Sequence, residues 1–213
     1  YEKTSTRFIG EKTMNIHWFP GHMTKSLRMM EENVKLIDVI IYVLDARAPK
    51  SCINPSFEPL ILGKKIIYVL NKCDLVSRQD VDTWIARING EGNEVIALSS
   101  VTSKSCSQIP IIAKKMCEEK LMRAKAKGIR ACIRAMVIGV PNCGKSTLIS
   151  LITRLYDATE GTVNVFGNDV KNYTRDELSH IFGVVPQSAV LFKGTIRDNL
   201  QWGKPDATDE EID

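Results

Sequence analysis

The sequence lacks several features that would place it in special classes of protein. No apolar run approaches the roughly 20 residues of a membrane-spanning helix. The six cysteines form no C-x-x-C pair and no dense cluster, which argues against a disulfide scaffold. The polar residues 1–13 have no apolar core of a signal peptide, so we assign them to a leader or disordered end. Together these absences favour a cytoplasmic protein with reduced thiols.

The composition is that of a globular protein, but it changes along the chain. Apolar residues make up 44% and charged residues 25% of the 213 residues, which excludes disordered and collagen-like classes. Residues 1–150 carry 23 Lys and Arg against 14 Asp and Glu, whereas residues 151–213 carry 6 against 11. All six cysteines and all seven methionines also precede residue 150. This uneven composition hints at a mixed origin.

Short apolar runs alternate with helical patterns along the chain. Predicted strands cover 38–45, 65–71, 94–99, 135–140, 162–166 and 181–186. Predicted helices cover 22–35, 79–89, 109–127, 145–156, 174–180 and 195–201. The alternation predicts an α/β fold of three layers, with a mainly parallel sheet between helices, in one domain over residues 14–213.

A glycine-containing loop follows the predicted strand 135–140. Residues 139–146 read G-V-P-N-C-G-K-S, which satisfies the phosphate-loop pattern G-x-x-x-x-G-K-[ST]. In such loops backbone N–H groups surround a phosphate, a lysine reaches the β- and γ-phosphates, and a hydroxyl ligates Mg²⁺. The lysine and the metal ligand here are Lys145 and Ser146. The nucleotide-contacting residues predicted from this loop are Pro141, Asn142, Cys143, Gly144, Lys145, Ser146 and Thr147.

A second motif, N-K-C-D at residues 71–74, ends an earlier predicted strand. The Asp74 carboxylate can accept hydrogen bonds from N1–H and the exocyclic amine of guanine, and a buried carboxylate there rejects adenine. Asn71 is expected to brace the loop and Lys72 to cover the face of the base. Ser99 and Ser100 end another strand, where a backbone N–H can reach guanine O6. An ordinary strand-end turn is the alternative interpretation of the four-residue motif.

The motif order resembles a known family. Together with W-F-P-G-H-M at 18–23, D-A-R-A-P at 45–49 and N-P at 54–55, the two motifs resemble those of the permuted GTPases of ribosome assembly, specifically the ribosome biogenesis GTPase A family. The base motif precedes the phosphate loop, which is the reverse of ordinary small GTPases and indicates circular permutation. The likeness covers about residues 14–150.

This resemblance implies functions for further residues. It implies GTP or GDP with Mg²⁺ as ligands, K⁺ as a further ion through Asn142, and a role in hydrolysis for His22. Asp45 superficially resembles a metal-binding Walker B acid, but in this family it belongs to the D-A-R turn, so a structural role is favoured. Residues 151–213 hold no D-x-x-G segment and no switch threonine, and the family's C-terminal RNA-binding domain is absent. Binding to the ribosome or its RNA is therefore not expected.

From about residue 145 onward the sequence resembles a second family of proteins. The segments R-L-Y-D at 154–157, P-Q at 186–187 and G-T-I at 194–196 resemble the nucleotide-binding domain of an ABC exporter, as far as just past its Q-loop. The signature L-S-G-G-Q does not occur. The resemblance implies that Gln187 lies near Mg²⁺ and the attacking water, against the alternative of a surface glutamine.

We therefore interpret the chain as a chimera, a permuted GTPase part at 14–147 joined to an ABC part at 148–213, with engineering favoured over a natural origin. Its expected function is binding of guanine nucleotide, with weak or no GTP hydrolysis, and with no membrane as partner. The alternatives are an active ribosome-assembly GTPase, an ATP-binding ABC-type fragment, and a scaffold without activity.

Overall fold

A computed structural model describes residues 21–90, 93–99, 106–129, 131–158, 161–186, 192–203 and 206–212. Its centre is a four-stranded sheet in the order β3-β2-β1-β4, and every neighbouring pair of strands is parallel. The strands are β1 (Val39–Asp45), β2 (Lys65–Asn71), β3 (Asn93–Ala97) and β4 (Ala135–Ile138). The predicted parallel sheet is thus confirmed, because short β-branched runs buried on both faces form such strands.

Helices connect the strands and continue beyond them. They are α1 (Gly21–Asn33), α2 (Pro49–Cys52), α3 (Glu58–Ile61), α4 (Arg78–Ile88), α5 (Gln108–Met116), α6 (Glu118–Ala126), α7 (Lys145–Ile152), α8 (Arg175–Ile181), α9 (Ile196–Gln201) and α10 (Asp209–Ile212). Within the described ranges, no helix combines the length and the apolar character needed to cross a bilayer.

The sheet separates two apolar clusters, as a three-layer fold requires. Successive β1 side chains alternate between the clusters, because neighbouring residues of a strand point to opposite faces. Ile40 and Tyr42 pack with residues of α1, α3 and α4 on one face. Val39 and Ile41 pack with residues of α5 and α7 on the other. The predicted covering of both faces is confirmed.

Two predicted helices are shorter than expected. The pattern at 109–127 divides at Cys117, which ends α5 and precedes α6. Helix α7 ends at Ile152, and the backbone turns left-handed at Arg154, with φ +54°. The guanidinium group of Arg154 then donates hydrogen bonds to the carbonyl oxygens of Val170, Lys171 and Tyr173 at 3.2, 3.2 and 2.7 Å. This side chain connects the end of α7 to residues 170–173. Residues 153–213, which follow α7, are called the tail below.

The predicted strand at 162–166 forms a hairpin outside the main sheet. Strands β5 (Asn164–Val165) and β6 (Asn168–Asp169) pair antiparallel. The two residues between them, Phe166 and Gly167, both have positive φ, +49° and +94°. Two left-handed residues are typical of a type I′ turn, whose twist suits a tight hairpin.

The prediction of a strand at 181–186 is wrong. Ile181 is the last residue of α8, and residues 182–186 are irregular. Ile181 and Phe182 pack against the core, whereas Val184 is 46% and Val185 is 96% exposed, so the second half of this apolar run is not buried. A strand needs a partner for its backbone hydrogen bonds, and among the described strands only β1 is paired with β4. The expected filling of the sheet edge beside β4 by this segment is not observed.

The tail nevertheless packs against the part of the chain that precedes α7. Val163, Val165 and Val170 are buried in the same apolar cluster as Ile109 of α5. The backbone N–H of Asn164 donates to the Ser107 hydroxyl oxygen at 2.7 Å. Both parts of the sequence therefore contribute to a common core.

Candidate functional site

The carboxyl edge of the sheet gathers polar residues from three neighbouring strands. Asp45 ends β1 and lies opposite Asn71, the last residue of β2. Ser99 follows β3, and the loop at 139–146 follows β4. Asp45, Asn71 and Ser99 are all buried. In open α/β sheets ligands bind beside the carboxyl ends of the strands, so this edge is the candidate site.

The phosphate loop has a backbone that few residues other than glycine can follow. Gly139 has φ +151°, and a Cβ placed there would lie 2.4 Å from the carbonyl oxygen of Val43. Gly144 has φ +95° at the start of α7, and Asn142 has φ +63°. The loop therefore curls tightly against β1. Its glycines are required by the close approach and by the left-handed conformation.

The charged and hydroxyl groups of this loop lie at the start of α7. The ammonium group of Lys145 donates to the carbonyl oxygen of Gly139 and, at 3.0 Å, to that of Val140. Burial lowers the pKa of Lys145 below its ordinary value. Ser146 and Thr147 are exposed. No side chain caps the N-terminus of α7, whose first N–H groups have no partner within the helix.

These features fit a bound phosphate group and its metal ion. An anion at a helix N-terminus is stabilised by free N–H groups and by the helix dipole. Adding a methyl group at Gly139 would disturb the curl that forms this cradle. The exposed hydroxyl of Ser146 is an oxygen donor of the kind that Mg²⁺ uses beside substrate phosphates.

The N-K-C-D turn touches the phosphate loop directly. The buried Asn71 amide nitrogen donates to the carbonyl oxygen of Cys143 at 2.8 Å. Its amide oxygen accepts the backbone N–H of Lys72 at 2.8 Å. Lys72 has a left-handed backbone with φ +62°, and its ammonium group donates to the carbonyl oxygen of Asn142 at 2.7 Å. Two motifs about 70 residues apart in sequence thus form one site.

The remaining residues that the sequence predicts to contact the base lie in different surroundings. The N–H of Cys73 donates to the carbonyl oxygen of Leu98 at 3.2 Å, which joins the turn to the chain just before Ser99. Asp74 lies in a short 3₁₀ helix, Cys73–Leu75, and is exposed. The expectation of a buried carboxylate at Asp74 is therefore wrong for the protein chain by itself. Ser100 lies outside the described residues.

A charge network that the sequence did not reveal lies beside this turn. Arg47 donates two side-chain hydrogen bonds to the Asp45 carboxylate, Nε to Oδ1 at 2.9 Å and Nη2 to Oδ2 at 2.7 Å. The Lys72 ammonium group donates to the same Oδ2 at 2.8 Å. The hydrogen bond from Arg47, followed by that from Lys72, holds the pKa of Asp45 well below its usual range, although burial acts in the opposite direction.

The segment after Asp45 is held beneath the network. The Tyr42 hydroxyl donates to the carbonyl oxygen of Cys52 at 3.1 Å and accepts the backbone N–H of Asn54 at 2.8 Å. The thiol sulfur of Cys52 accepts the N–H of Asp45 at 3.4 Å. Burial raises the pKa of Tyr42 to about 12, so the hydroxyl keeps its proton. The D-A-R-A-P segment is thus anchored to β1.

The side chains of two further predicted residues, His22 and Gln187, are outside what the structure describes. His22 lies in the first turn of α1, and its side chain belongs to the part that is not described. Gln187 and residues 1–13 lie outside the described residues. In the described ranges no group of three or more His, Cys, Asp or Glu side chains could hold a metal ion. All six cysteines are described, and all six are free thiols.

Comparison with known proteins finds two kinds of relative. The chain is 40% identical over 149 residues to ribosome biogenesis GTPase A of Bacillus pumilus, covering 70% of this chain and 53% of that protein. It is 36% identical over 153 residues to mitochondrial ribosome-associated GTPase 1 of Mus musculus, covering 70% of this chain and 46% of that protein. The chain spans about half the length of the curated GTPases that it matches.

The second kind of relative is an ABC protein. A family model described as ABC transporter matches residues 129–213. The chain is 46% identical over 95 residues to the multidrug efflux ATP-binding/permease protein of Mycobacterium bovis, covering 45% of this chain and 8% of that protein.

Among solved structures, the chain is similar to the crystal structure of GNP-bound YlqF from T. maritima, with a TM-score of 0.45, 21% identity, and coverage of 68% of this chain and 55% of that one. The chain therefore resembles ribosome biogenesis GTPase A over about 70% of its length and ABC proteins toward its end.

Proposed function

We propose that this protein binds a guanine nucleotide, GTP or GDP, between its N-K-C-D turn and its phosphate loop. The observation that carries the proposal is the pair of contacts from the turn to the loop, Asn71 to Cys143 and Lys72 to Asn142, at 2.8 and 2.7 Å. These contacts hold the turn against the phosphate loop, which supports one nucleotide contacting both. The curated GTPase relatives support the choice of nucleotide.

In this proposal Asp74 recognises the base. Its carboxylate accepts from guanine N1–H and from the exocyclic amine, whereas adenine has an acceptor where guanine has N1–H. The exposed position of Asp74 leaves its oxygens accessible to a base. Ser99 and Ser100 would supply the contact to O6.

The phosphate loop supplies the binding energy for the charged end of the nucleotide. Lys145 would exchange its two carbonyl partners for phosphate oxygens, which are stronger acceptors because they are charged. Ser146 would ligate the accompanying Mg²⁺, which neutralises phosphate charge when bound. A K⁺ ion beside Asn142 belongs to the same proposal.

We further propose that the chain is a chimera of a circularly permuted GTPase and an ABC fragment, and that GTP hydrolysis is slow or absent. The two kinds of relative support the first part. The second part rests on residues 151–213, which hold neither the D-x-x-G segment nor the switch threonine that sense the γ-phosphate in the resembled GTPases. Rapid release of phosphate from GTP by the wild-type chain, lost in His22→Ala or Gln187→Ala, would contradict slow or absent hydrolysis. The free cysteines support a cytoplasmic location.

The second candidate function is ATP binding by an ABC-type fragment, which the family match over residues 129–213 favours. That match includes the phosphate loop but not the N-K-C-D turn. The two candidates therefore differ in whether Asp74 matters for binding.

The experiment is a titration of the full chain with fluorescent GDP, xanthosine diphosphate and ADP. We expect Asp74→Asn to weaken GDP by about 10- to 100-fold, because one charge-assisted hydrogen bond is lost. The same change should strengthen xanthosine diphosphate, since the new amide N–H can donate to the xanthine 2-oxo group. Asp82→Asn, a surface carboxylate on α4, is the matched control and should change neither affinity. Equal GDP affinity in Asp74→Asn and wild type would favour the ABC-type candidate, and no binding of any nucleotide would favour a scaffold without activity.

A further inference from the structure

The Asp45 carboxylate occupies a central position beside the candidate site. Its Oδ1 accepts from the backbone N–H and from Nε of Arg47, at 3.1 and 2.9 Å. Its Oδ2 accepts from Nη2 of Arg47 and from Nζ of Lys72, at 2.7 and 2.8 Å. Both oxygens are therefore engaged by donors of the protein itself. A carboxylate engaged in this way is not placed as a metal ligand.

The two cations that Asp45 holds differ in their surroundings. The side chain of Arg47 is 54% exposed, whereas that of Lys72 is 26% exposed. Lys72 alone continues to the phosphate loop, through the 2.7 Å hydrogen bond from Nζ to the carbonyl oxygen of Asn142. The ammonium group of Lys72 is thus fixed at two points, one on β1 and one on the loop.

A lysine side chain would not hold this position without a partner. It has four rotatable bonds, and ordering it costs on the order of 1 to 2 kcal/mol of conformational entropy. The Asp45 carboxylate offsets that cost with a charge-assisted hydrogen bond in a partly buried place. The backbone at Lys72 is left-handed, with φ +62°, and its ammonium group contacts both Asp45 and Asn142.

We propose that Asp45 is a positioning residue of the guanine-nucleotide site, which acts through Lys72. By holding the ammonium group, it fixes Lys72 between the base-reading turn and the phosphate loop before a nucleotide arrives. Nucleotide binding then loses less conformational freedom, and affinity rises accordingly. This inference rests on the proposed function, because it concerns the same site.

The test is a double-mutant cycle on binding of fluorescent GDP to the full chain. We expect Asp45→Asn and Lys72→Met each to weaken GDP by about tenfold, and the double variant to be no weaker than Lys72→Met alone. Asp45→Glu retains the carboxylate and should restore affinity to within about threefold of wild type. Additive losses in the cycle would overturn the proposal. The proposal would also be overturned if the losses of GDP affinity were additive for Asp45→Asn with Lys72→Met but non-additive for Asp45→Asn with Arg47→Ala.

The control lies at the other end of the same strand. Asp38, just before β1, accepts from Nζ of Lys120 at 2.7 Å and from the backbone N–H of Arg134 at 2.8 Å. Asp38→Asn therefore removes a comparable pair about 23 Å away along β1. It should lower thermal stability without changing GDP affinity. An equal loss of affinity in Asp38→Asn would assign the Asp45 effect to general destabilisation and overturn the proposal.

A second measurement on the wild-type chain covers the case in which Asp45→Asn does not fold. Lys72 should react with an amine-directed reagent at least about tenfold more slowly than the exposed Lys127, because its ammonium group is held by two acceptors. Equal reactivity of Lys72 and Lys127 would overturn the proposal. Selective GDP binding with an unchanged Asp45→Asn affinity refutes only this inference, whereas wild-type protein that does not prefer GDP to ADP refutes the proposed function as well.

Discussion

Asp45 couples its ion pairs to the stability of the folded chain. In the unfolded chain its pKa is near the ordinary value of 3.8, and Arg47 and Lys72 lower it in the folded protein. The folded state therefore binds fewer protons than the unfolded state between these two pKa values. By linkage the free energy of unfolding rises with pH there, so the contribution is present above the ordinary pKa and is lost on acidification.

This argument predicts a flatter acid profile for Asp45→Asn. Between about pH 6 and about pH 3 the variant should lose about 1 kcal/mol less unfolding free energy than wild type. Lys72→Met, which keeps the carboxylate and removes one cation, should lie between them. Urea unfolding followed by circular dichroism at several pH values measures the slopes. Parallel profiles for all three proteins would show that Asp45 contributes nothing.

Gly139 provides a second prediction at the scale of one residue. Gly139→Ala places a Cβ 2.4 Å from the carbonyl oxygen of Val43 at φ +151°, so β4 and the loop must shift away from β1. We expect a loss of at least about 2 kcal/mol of unfolding free energy and a loss of nucleotide binding. Gly183→Ala is the control, because no atom lies within 4 Å of its added Cβ and its φ is not in the left-handed region. Unchanged stability in Gly139→Ala would contradict the tight loop.

The candidate site could be predicted from sequence only where a motif fixes both the residue types and their spacing. The pattern at 139–146 and the N-K-C-D turn both prescribe residue types at fixed spacing. The partnership of Asp45 with Lys72 joins two strand ends 27 residues apart, and only the register of β1 with β2 brings them together. A polar residue ending each of two adjacent predicted strands is the signal that could have indicated it.

At the scale of elements, burial explains which predictions hold. Strand β2 has the predicted bounds and β1 differs by one residue, because continuous β-branched runs buried on both faces specify their own ends. The run at 181–186 has similar residues but no partner strand, so the same pattern gives an irregular segment. The break at Cys117 was not visible, because good helix formers stand on both sides of it.

The hairpin of the tail gives a prediction at this scale. Val165 is 0% exposed and packs in the cluster that includes residues of β1 and α5. Val165→Ala should lower the unfolding free energy of the whole chain by about 1.5 to 3 kcal/mol, in a single transition, because two buried methyl groups are lost. Val185→Ala is the matched control, since Val185 is 96% exposed. An unchanged main transition in Val165→Ala would mean that the tail does not share the core.

At the scale of the whole molecule, the sequence resembles two kinds of protein. The described fold has a four-stranded parallel sheet with apolar clusters on both faces and a separate two-stranded hairpin. The tail adds Val163, Val165 and Val170 to one of these clusters and adds no strand to the sheet. Relatives of both kinds include the phosphate loop in our interpretation, which explains how the parts can meet there. Under the proposed function, the choice of nucleotide depends on residues 14–147, where the N-K-C-D turn lies.

The most direct test is a competition experiment in which unlabelled GDP and ADP displace fluorescent GDP from the full chain in the presence of Mg²⁺. If the N-K-C-D turn and the phosphate loop form one guanine site, GDP should displace the probe at a concentration at least about 100-fold lower than ADP, since a mismatched base leaves polar groups unpaired. Displacement by GDP and ADP at the same concentration would contradict the account.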